Sequence, residues 1–211
     1  AFIGGGEDNI YDEPLISNVP GMPFAVLGSG GGVLVGGRHN RLQGAHSVLG
    51  GGAYNRVRGN HSVLVGGGGT MESDSNSIIG NQSAIVGGSG NWVGDPAGQV
   101  DGSSIVGGLK NLVQGDYSFI GGGRSDTASG PYSIVGGGCG NRAADTSSCV
   151  LGGTGNRAIG KYCSVLGGLR NSLEGILGAV EGSGILGGSQ NILRGDYSVI
   201  GGGEENIIED I

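Results

Sequence analysis

The residues best suited to bind a ligand are arginines that recur beside asparagines. Arg41, Arg56, Arg142 and Arg157 each directly follow an asparagine. A guanidinium group binds a carboxylate or a phosphate through paired hydrogen bonds. If these arginines stack along one edge of a repeated structure, they could contact an anionic glycan or another acidic surface. The alternative is a solvated face that nearby acidic residues balance.

A second candidate contact residue is Trp92, which is the only tryptophan of the chain. It lies in one of three stretches where the spacing of the sequence becomes irregular, at about residues 5–35, 88–104 and 175–187. We predict that loops at 5–35 and 88–104 carry any binding specificity, and that Trp92 is a ligand contact.

Two patterns resemble metal sites. His46 and His61 both precede a repeated serine, so a column of imidazoles near a three-fold axis could hold a metal, although an aromatic stack is the preferred interpretation. Gly-Gly-x-Gly-Asn segments at 87–91, 137–141 and 152–156 are similar to calcium-binding nonapeptides but lack the carboxylate that calcium needs. We therefore predict no metal and no other cofactor.

The sequence does not favour catalysis, nucleic-acid binding or membrane insertion. Acidic residues of the central region are scattered singly, without a paired carboxylate or a nucleophile beside a base. The net charge of −7 comes from acidic clusters near both ends, while the central region is close to neutral, which disfavours nucleic acid. No apolar stretch approaches the roughly twenty residues of a membrane span. The acidic clusters would either discourage end-to-end stacking of copies or form joints to flanking modules.

The candidate residues are positioned by a repeat of about 14 residues, Ser-apolar-apolar-Gly-Gly-x-x-Asn-x-apolar, which is too short for a helical or propeller repeat. Glycine supplies 53 of 211 residues, yet there is no collagen-like spacing. The repeat predicts an all-β fold, a parallel β-solenoid, as a single domain over 1–211. A third glycine in some copies is interpreted as a bulge.

The repeated asparagine is expected to form the corner between two strands, because asparagine tolerates positive φ and stacked amides form ladders. The predicted turn and ladder residues are Asn40, Asn55, Asn111, Asn141, Asn156, Asn171 and Asn191.

The apolar pairs predict an assembly surface. Adjacent strand residues point to opposite sides, so one member of each pair fills the coil and the other faces outward. The resulting apolar stripe would exceed what soluble monomers usually expose, which favours an oligomer. The pairs are Val48 and Leu49, Ile105 and Val106, Phe119 and Ile120, Ile134 and Val135, Val165 and Leu166, and Val199 and Ile200.

Ser62-Val63-Leu64-Val65-Gly66 and Ser83-Ala84-Ile85-Val86-Gly87 resemble the YadA-like head repeat of trimeric autotransporter adhesins. Residues 115–123 and 195–203 also resemble repeats of phage and viral fibres and of bacterial surface proteins. The resemblance implies a left-handed β-roll that assembles as a homotrimer, lies on a cell surface, virion or other extracellular structure, and mediates attachment.

Two functional hypotheses follow. The first is a non-enzymatic trimeric rod of a surface or virion fibre that adheres to a host glycan or protein. The second is a purely structural filament, or a capsid or tail-fibre subunit, without receptor binding of its own.

Overall fold

The computed structural model describes residues 2–3, 5–11, 30–95, 100–175 and 180–209. It confirms the predicted all-β parallel solenoid, and the described residues contain one short 3-10 turn, Glu72–Asp74. The regular coil has 15 residues rather than the predicted 14, as the spacing from Asn40 to Asn55 shows. The chain divides into two compact units, residues 1–109 (unit 1) and residues 110–211 (unit 2).

Unit 1 is built from two-residue strands in two parallel sheets. Odd-numbered strands pair with the next odd-numbered strand, and even-numbered strands pair likewise. The strands are β1 (Phe2–Ile3), β2 (Ile10–Tyr11), β3 (Val33–Leu34), β4 (Arg41–Leu42), β5 (Val48–Leu49), β6 (Arg56–Val57), β7 (Val63–Leu64), β8 (Ser77–Ile78), β9 (Ala84–Ile85), β10 (Trp92–Val93) and β11 (Ser104–Ile105).

Unit 2 repeats this arrangement with the same pairing rule. Its strands are β12 (Leu112–Val113), β13 (Phe119–Ile120), β14 (Thr127–Ala128), β15 (Ile134–Val135), β16 (Arg142–Ala143), β17 (Cys149–Val150), β18 (Arg157–Ala158), β19 (Ser164–Val165), β20 (Ser172–Leu173), β21 (Gly184–Ile185), β22 (Ile192–Leu193), β23 (Val199–Ile200) and β24 (Ile207–Ile208).

Each coil directs the same four places inward. Counted from the inward serine as place 1, Ser47 and Leu49 at places 1 and 3 are buried, and so are Asn55 and Val57 at places 9 and 11. Val48 at place 2 and Arg56 at place 10 face outward because strand residues alternate in direction. Burying one aliphatic side chain contributes about 1.5–3 kcal/mol, so two per coil give the solenoid a thin but continuous core.

The third glycine is not a bulge, which corrects the sequence-based interpretation. Val48 pairs with Val63 and Leu49 pairs with Leu64 without interruption, so Gly50 occupies place 4 just as Val65 does in the next coil. A Cβ on Gly50 would lie 2.6 Å from the carbonyl oxygen of Val65. The glycine therefore substitutes for an outward apolar residue where the neighbouring backbone approaches closely.

A further correction concerns the register of two strands. Ser103 and Cys163 occupy the inward place 1, whereas the predicted repeat starts Ser104 and Ser164 face outward.

All three predicted irregular stretches contain extra residues, because 31 residues separate Asn9 from Asn40, and 20 separate Ser83 from Ser103 and Asn171 from Asn191. The parts of these stretches that the structure describes (5–11, 30–35, 88–95, 100–104 and 180–187) belong to coils of the solenoid. Residues 12–29, 96–99 and 176–179 lie outside the described residues. The sequence analysis missed an insertion at 69–75, where 21 residues separate Asn55 from Asn76.

Candidate functional site

The asparagine column is a hydrogen-bonded ladder inside the solenoid. Asn55 donates from Nδ2 to the carbonyl oxygens of Gly51 and Gly67 at 3.0 Å each, and its backbone N–H donates to Asn40 Oδ1 at 3.0 Å. All seven predicted ladder residues are buried at this place. These internal bonds connect each coil to the next and occupy the amide groups of the ladder. Asp126 occupies the same place in one coil, which the sequence analysis did not recognise.

The inward serines form a second polar column. Ser47 Oγ donates to the carbonyl oxygen of Gly59 at 2.8 Å and accepts from the backbone N–H of Ser62 at 2.9 Å. In one coil Cys163 replaces the serine, and burial raises the pKa of its thiol. The hydroxyls hold adjacent coils together, and the inward serines of the described chain are buried apart from Ser198, which is half-buried.

One member of every predicted apolar pair is buried and the other faces outward. The buried members are Leu49, Ile105, Ile120, Val135, Val165 and Ile200. The outward members are Val48, Val106, Phe119, Ile134, Leu166 and Val199. We call the outer surface of the odd-numbered strands, formed by the residues at places 2 and 4, the apolar face.

The apolar face carries one large side chain per coil in unit 2, and its two places are complementary in size. Phe119, Ile134 and Val199 at place 2 are each followed by glycine at place 4. Where place 2 holds the smaller Cys149, Ser164 or Gly184, place 4 holds leucine instead. These leucines, Leu151, Leu166 and Leu186, are 44–52% exposed. Each coil thus presents a single apolar projection beside a small neighbour.

A groove lies on the opposite sheet of unit 1, and two arginines lie on consecutive rungs along it. Arg41 of β4 pairs with Arg56 of β6, and both side chains project outward and are half-buried. The groove has a volume of about 480 Å³. We call it the arginine groove; its lining includes Asp8, His39, Arg41, Tyr54, Arg56, Glu72, Ser75 and Ser77.

A stacked wall borders one side of the arginine groove. The rings of His39 and Tyr54 lie 4.6 Å apart, and the Arg38 guanidinium lies 5.8 Å from the centre of the Tyr54 ring. His39 Nδ1 is 3.5 Å from Asp8 Oδ2. His39 and Tyr54 occupy corners with φ of 52° and 59°, so each coil directs place 8 toward the same edge. The wall therefore results from the coil geometry itself.

The insertion at 69–75 supplies further lining, with Glu72 and Ser75 facing the arginine groove. It is anchored on the next coil, since the carbonyl oxygen of Asp74 accepts from the backbone N–H of Gly90 at 2.9 Å and from Ser89 Oγ at 3.2 Å. Burial lowers the pKa of Arg56, and the positive charges of Arg58 and Arg41 lower it further. The negative charge of Glu72 acts in the opposite direction. The groove thus contains two guanidinium groups beside the carboxylates of Asp8 and Glu72.

The structure brings together some of the other predicted contact residues. Trp92 lies in the same outward column as Arg56, two rungs away, with Ser77 between them. Arg142 and Arg157 form a second adjacent pair in unit 2, where both are exposed and Arg157 Nη1 lies 3.8 Å from Glu174 Oε2. Unlike Arg41 and Arg56, this second pair is preceded by Gly140 and Gly155 at place 8.

His46 and His61 stack with ring centres 5.1 Å apart, as Tyr117 and Tyr132 do at 5.5 Å. Within the described ranges, no three histidine, cysteine, aspartate or glutamate residues form a group suited to hold a metal ion. The single helical turn of the described chain spans three residues, so no membrane-spanning helix occurs there.

Comparison with known proteins adds no relative to this picture: no protein-family model matches the chain, and no curated protein matches it.

Proposed function

We propose that the chain is a non-enzymatic subunit of a homotrimeric β-solenoid rod in an extracellular, cell-surface or virion fibre, and that the rod mediates attachment. The observation that supports this proposal is the apolar face. Leu151, Leu186 and Val199 are 52%, 52% and 62% exposed, although their neighbours at place 3 are buried. A repeated apolar projection on an otherwise polar solenoid is typical of a surface that another protein covers.

The small stabilisation that each coil can contribute to association favours an extended interface. Covering one half-exposed leucine or valine contributes about 1 kcal/mol, by scaling the value for full burial. Association costs on the order of 4–15 kcal/mol in lost freedom of the partners. A single coil therefore cannot hold two copies together, whereas six coils of unit 2 acting together can. The proposal thus requires contact along many coils.

The complementary sizes at places 2 and 4 support a second copy of the chain as the partner. In a parallel arrangement with equal coils side by side, each projection meets a copy that has a glycine or another small residue at the same level. Such an arrangement keeps the packed volume constant from Ile134 with Gly136 to Ser164 with Leu166. The number of three copies follows from the resemblance to trimeric adhesin heads.

The attachment role is supported by the contrast between inward and outward places of the even-numbered strands. In β6, β8 and β10 the inward residues are all aliphatic, whereas the outward residues change from Arg56 to Ser77 and Trp92 on successive rungs. The solenoid therefore presents a different surface at each level without disturbing its core, as a recognition surface requires.

The proposal is tested by sedimentation and native mass measurement. We expect a trimer, and we expect Leu166→Glu with Leu186→Glu to give folded monomers because charges then oppose one another across the apolar face. Arg142→Glu with Arg157→Glu places two glutamates on the other sheet, with a larger change in net charge, and should remain trimeric. A wild-type monomer at micromolar concentration would refute the trimeric rod.

Attachment is tested separately on arrays of cell-surface glycans and matrix proteins. Saturable binding of the trimer to one class is expected. A trimer that binds none of them would overturn the attachment role and favour a purely structural filament.

A further inference from the structure

We propose that the arginine groove of unit 1 binds a saccharide residue bearing a single carboxylate, of the uronic-acid class. This inference specifies the ligand of the proposed attachment function and rests on that function for its biological role. The groove itself involves only residues of unit 1.

The pair of arginines is the first reason. Arg41 and Arg56 lie on adjacent rungs, about 4.8 Å apart along the sheet, and both side chains line the groove. Their guanidinium groups are partly shielded from water, which increases their mutual repulsion. A carboxylate bound beside them reduces that repulsion and adds charge-assisted hydrogen bonds to the interactions that Arg41 and Arg56 already make. The arrangement therefore selects an anion.

The acidic lining is the second reason, because it restricts the kind of anion. Asp8 and Glu72 also line the groove, so a polyphosphate or a densely sulfated chain would meet repulsive carboxylates. Carboxylates and the hydroxyls of Ser75 and Ser77 can instead hydrogen-bond to the hydroxyl groups of a sugar ring. One anionic group among several hydroxyls is the composition of a uronic acid.

Size and rigidity are the third reason. A volume of about 480 Å³ falls within the usual range for small-molecule sites, roughly 300–1,000 Å³. The His39–Tyr54 stack is a preformed wall, supported by the Arg38 guanidinium on the tyrosine ring. Ordering this wall adds little entropic cost on binding, which helps a weak ligand.

The chain contains a matched control for these features. Arg142 and Arg157 also occupy place 10 on adjacent rungs of an even-numbered sheet. Their coils carry Gly140 and Gly155 where the groove has His39 and Tyr54, and both arginines are exposed. This pair supplies the same two charges without the wall, so it separates a built site from simple positive charge.

The test uses ligand-observed NMR titration of the full chain with methyl β-glucuronide and, in parallel, with its neutral counterpart methyl β-glucoside. We expect saturable binding of the glucuronide in the millimolar range and at least tenfold weaker binding of the glucoside. Arg41→Ala with Arg56→Ala should weaken glucuronide binding at least tenfold. Arg142→Ala with Arg157→Ala should leave it unchanged, and circular dichroism should show that both double variants are folded.

Three results would overturn the assignment. They are equal binding of the charged and neutral sugars, equal loss in both double variants, and displacement of the glucuronide by sulfate at equal concentration, which indicates a general anion site. Sedimentation of the same samples separates the two proposals. A trimer that does not bind the glucuronide refutes only the groove ligand, and a monomer that binds it refutes only the trimeric rod.

Discussion

Asp126 Oδ1 accepts a hydrogen bond of 2.7 Å from the backbone N–H of Asn141, which continues the asparagine ladder through a carboxylate. In the following coil, Asn141 Nδ2 donates to the carbonyl oxygens of Gly137 and Gly153 at 2.9 and 3.0 Å. Asp126 Oδ2 occupies the corresponding place, where it is buried and has no hydrogen-bond partner among the described residues. A carboxylate thus replaces a donor at a site that needs one.

Asp126→Asn is expected to stabilise the protein by about 1–3 kcal/mol at neutral pH, because the amide restores the missing donor. The measurement is the free energy of unfolding in urea. Asp116→Asn changes an exposed carboxylate in the preceding coil and should shift the unfolding free energy by less than about 0.5 kcal/mol. Equal stabilisation by both variants would mean that net charge, and not the ladder, causes the effect.

Stability should also depend on pH through Asp126. Burial raises the pKa of this carboxyl, so the folded state holds its proton more tightly than the unfolded chain does. The contribution to stability is complete below the unfolded pKa of about 3.9 and is lost as pH rises through the folded pKa. The advantage of Asp126→Asn over the wild type should therefore grow as pH increases from about 4. A constant advantage across that range would contradict the buried-carboxyl account.

Asn156→Ala is expected to destabilise unit 2 by about 3–5 kcal/mol. The substitution leaves the carbonyl oxygen of Gly152 and the backbone N–H of Asn171 without their partner, and each buried unpaired group costs about 1–3 kcal/mol. It also removes one of the two hydrogen bonds that the carbonyl oxygen of Gly168 accepts, since the backbone N–H of Thr154 supplies the other. Thr154→Ala, at an exposed place of the same coil, is the control and should change stability by less than about 0.5 kcal/mol. Similar unfolding free energies for the two variants would show that the ladder is dispensable.

Gly182→Ala tests how closely the ring of Tyr197 packs on the backbone of Gly182. Gly182 has φ of 64°, and a Cβ there would lie 2.7 Å from Cδ1 of Tyr197. Gly140→Ala has nearly the same φ, 67°, in open space, so it should cost only about 1–2 kcal/mol for the left-handed backbone. We expect the larger cost at Gly182 to fall to the Gly140 value in a Tyr197→Ala background, measured as a double-mutant cycle. An unchanged excess cost would exclude the ring contact as its cause.

The three thiols should react at different rates with a thiol reagent under native conditions. Burial raises the pKa of Cys163 and of Cys149, which reduces the reactive thiolate, and Cys163 is also fully buried. We expect Cys163 to react last, at the rate of unfolding, and mass spectrometry of the labelled peptides measures the order. Labelling of Cys163 as fast as Cys139 would indicate that the coil opens locally.

The fold could be predicted from the sequence because its pattern is local and repeated. The spacing of Ser47, Leu49 and Asn55 recurs in most coils, and each coil packs only against its neighbours. The register of the strands is harder to predict, because Ser104 and Ser164 have the same residue type as the inward serine but face outward. Only burial distinguishes them, and a sequence with serine on both sides of a strand does not encode that difference clearly.

The arginine groove was only partly predictable. The types and positions of Arg41 and Arg56 identify them as contact residues, but the groove also depends on the insertion at 69–75 and on Asp8, and the predicted contact Trp92 does not line it. Asp8 and Glu72 lie 64 residues apart in the chain and face one groove because intervening coils stack between them. Such a contact follows from the three-dimensional path of the insertion, which the repeat does not specify.

The direction of the internal bonds has a consequence for how the chain is made. Ser47 Oγ and Asn55 Nδ2 each donate to a backbone carbonyl 12 residues further along the chain, and their oxygens accept from backbone N–H groups of the next coil. During synthesis, each emerging coil therefore completes the polar groups of the one before it. Folding can proceed from the amino terminus with one incomplete coil at a time. A growing chain then exposes the unpaired hydrogen-bonding groups of its last coil rather than a large unfolded region.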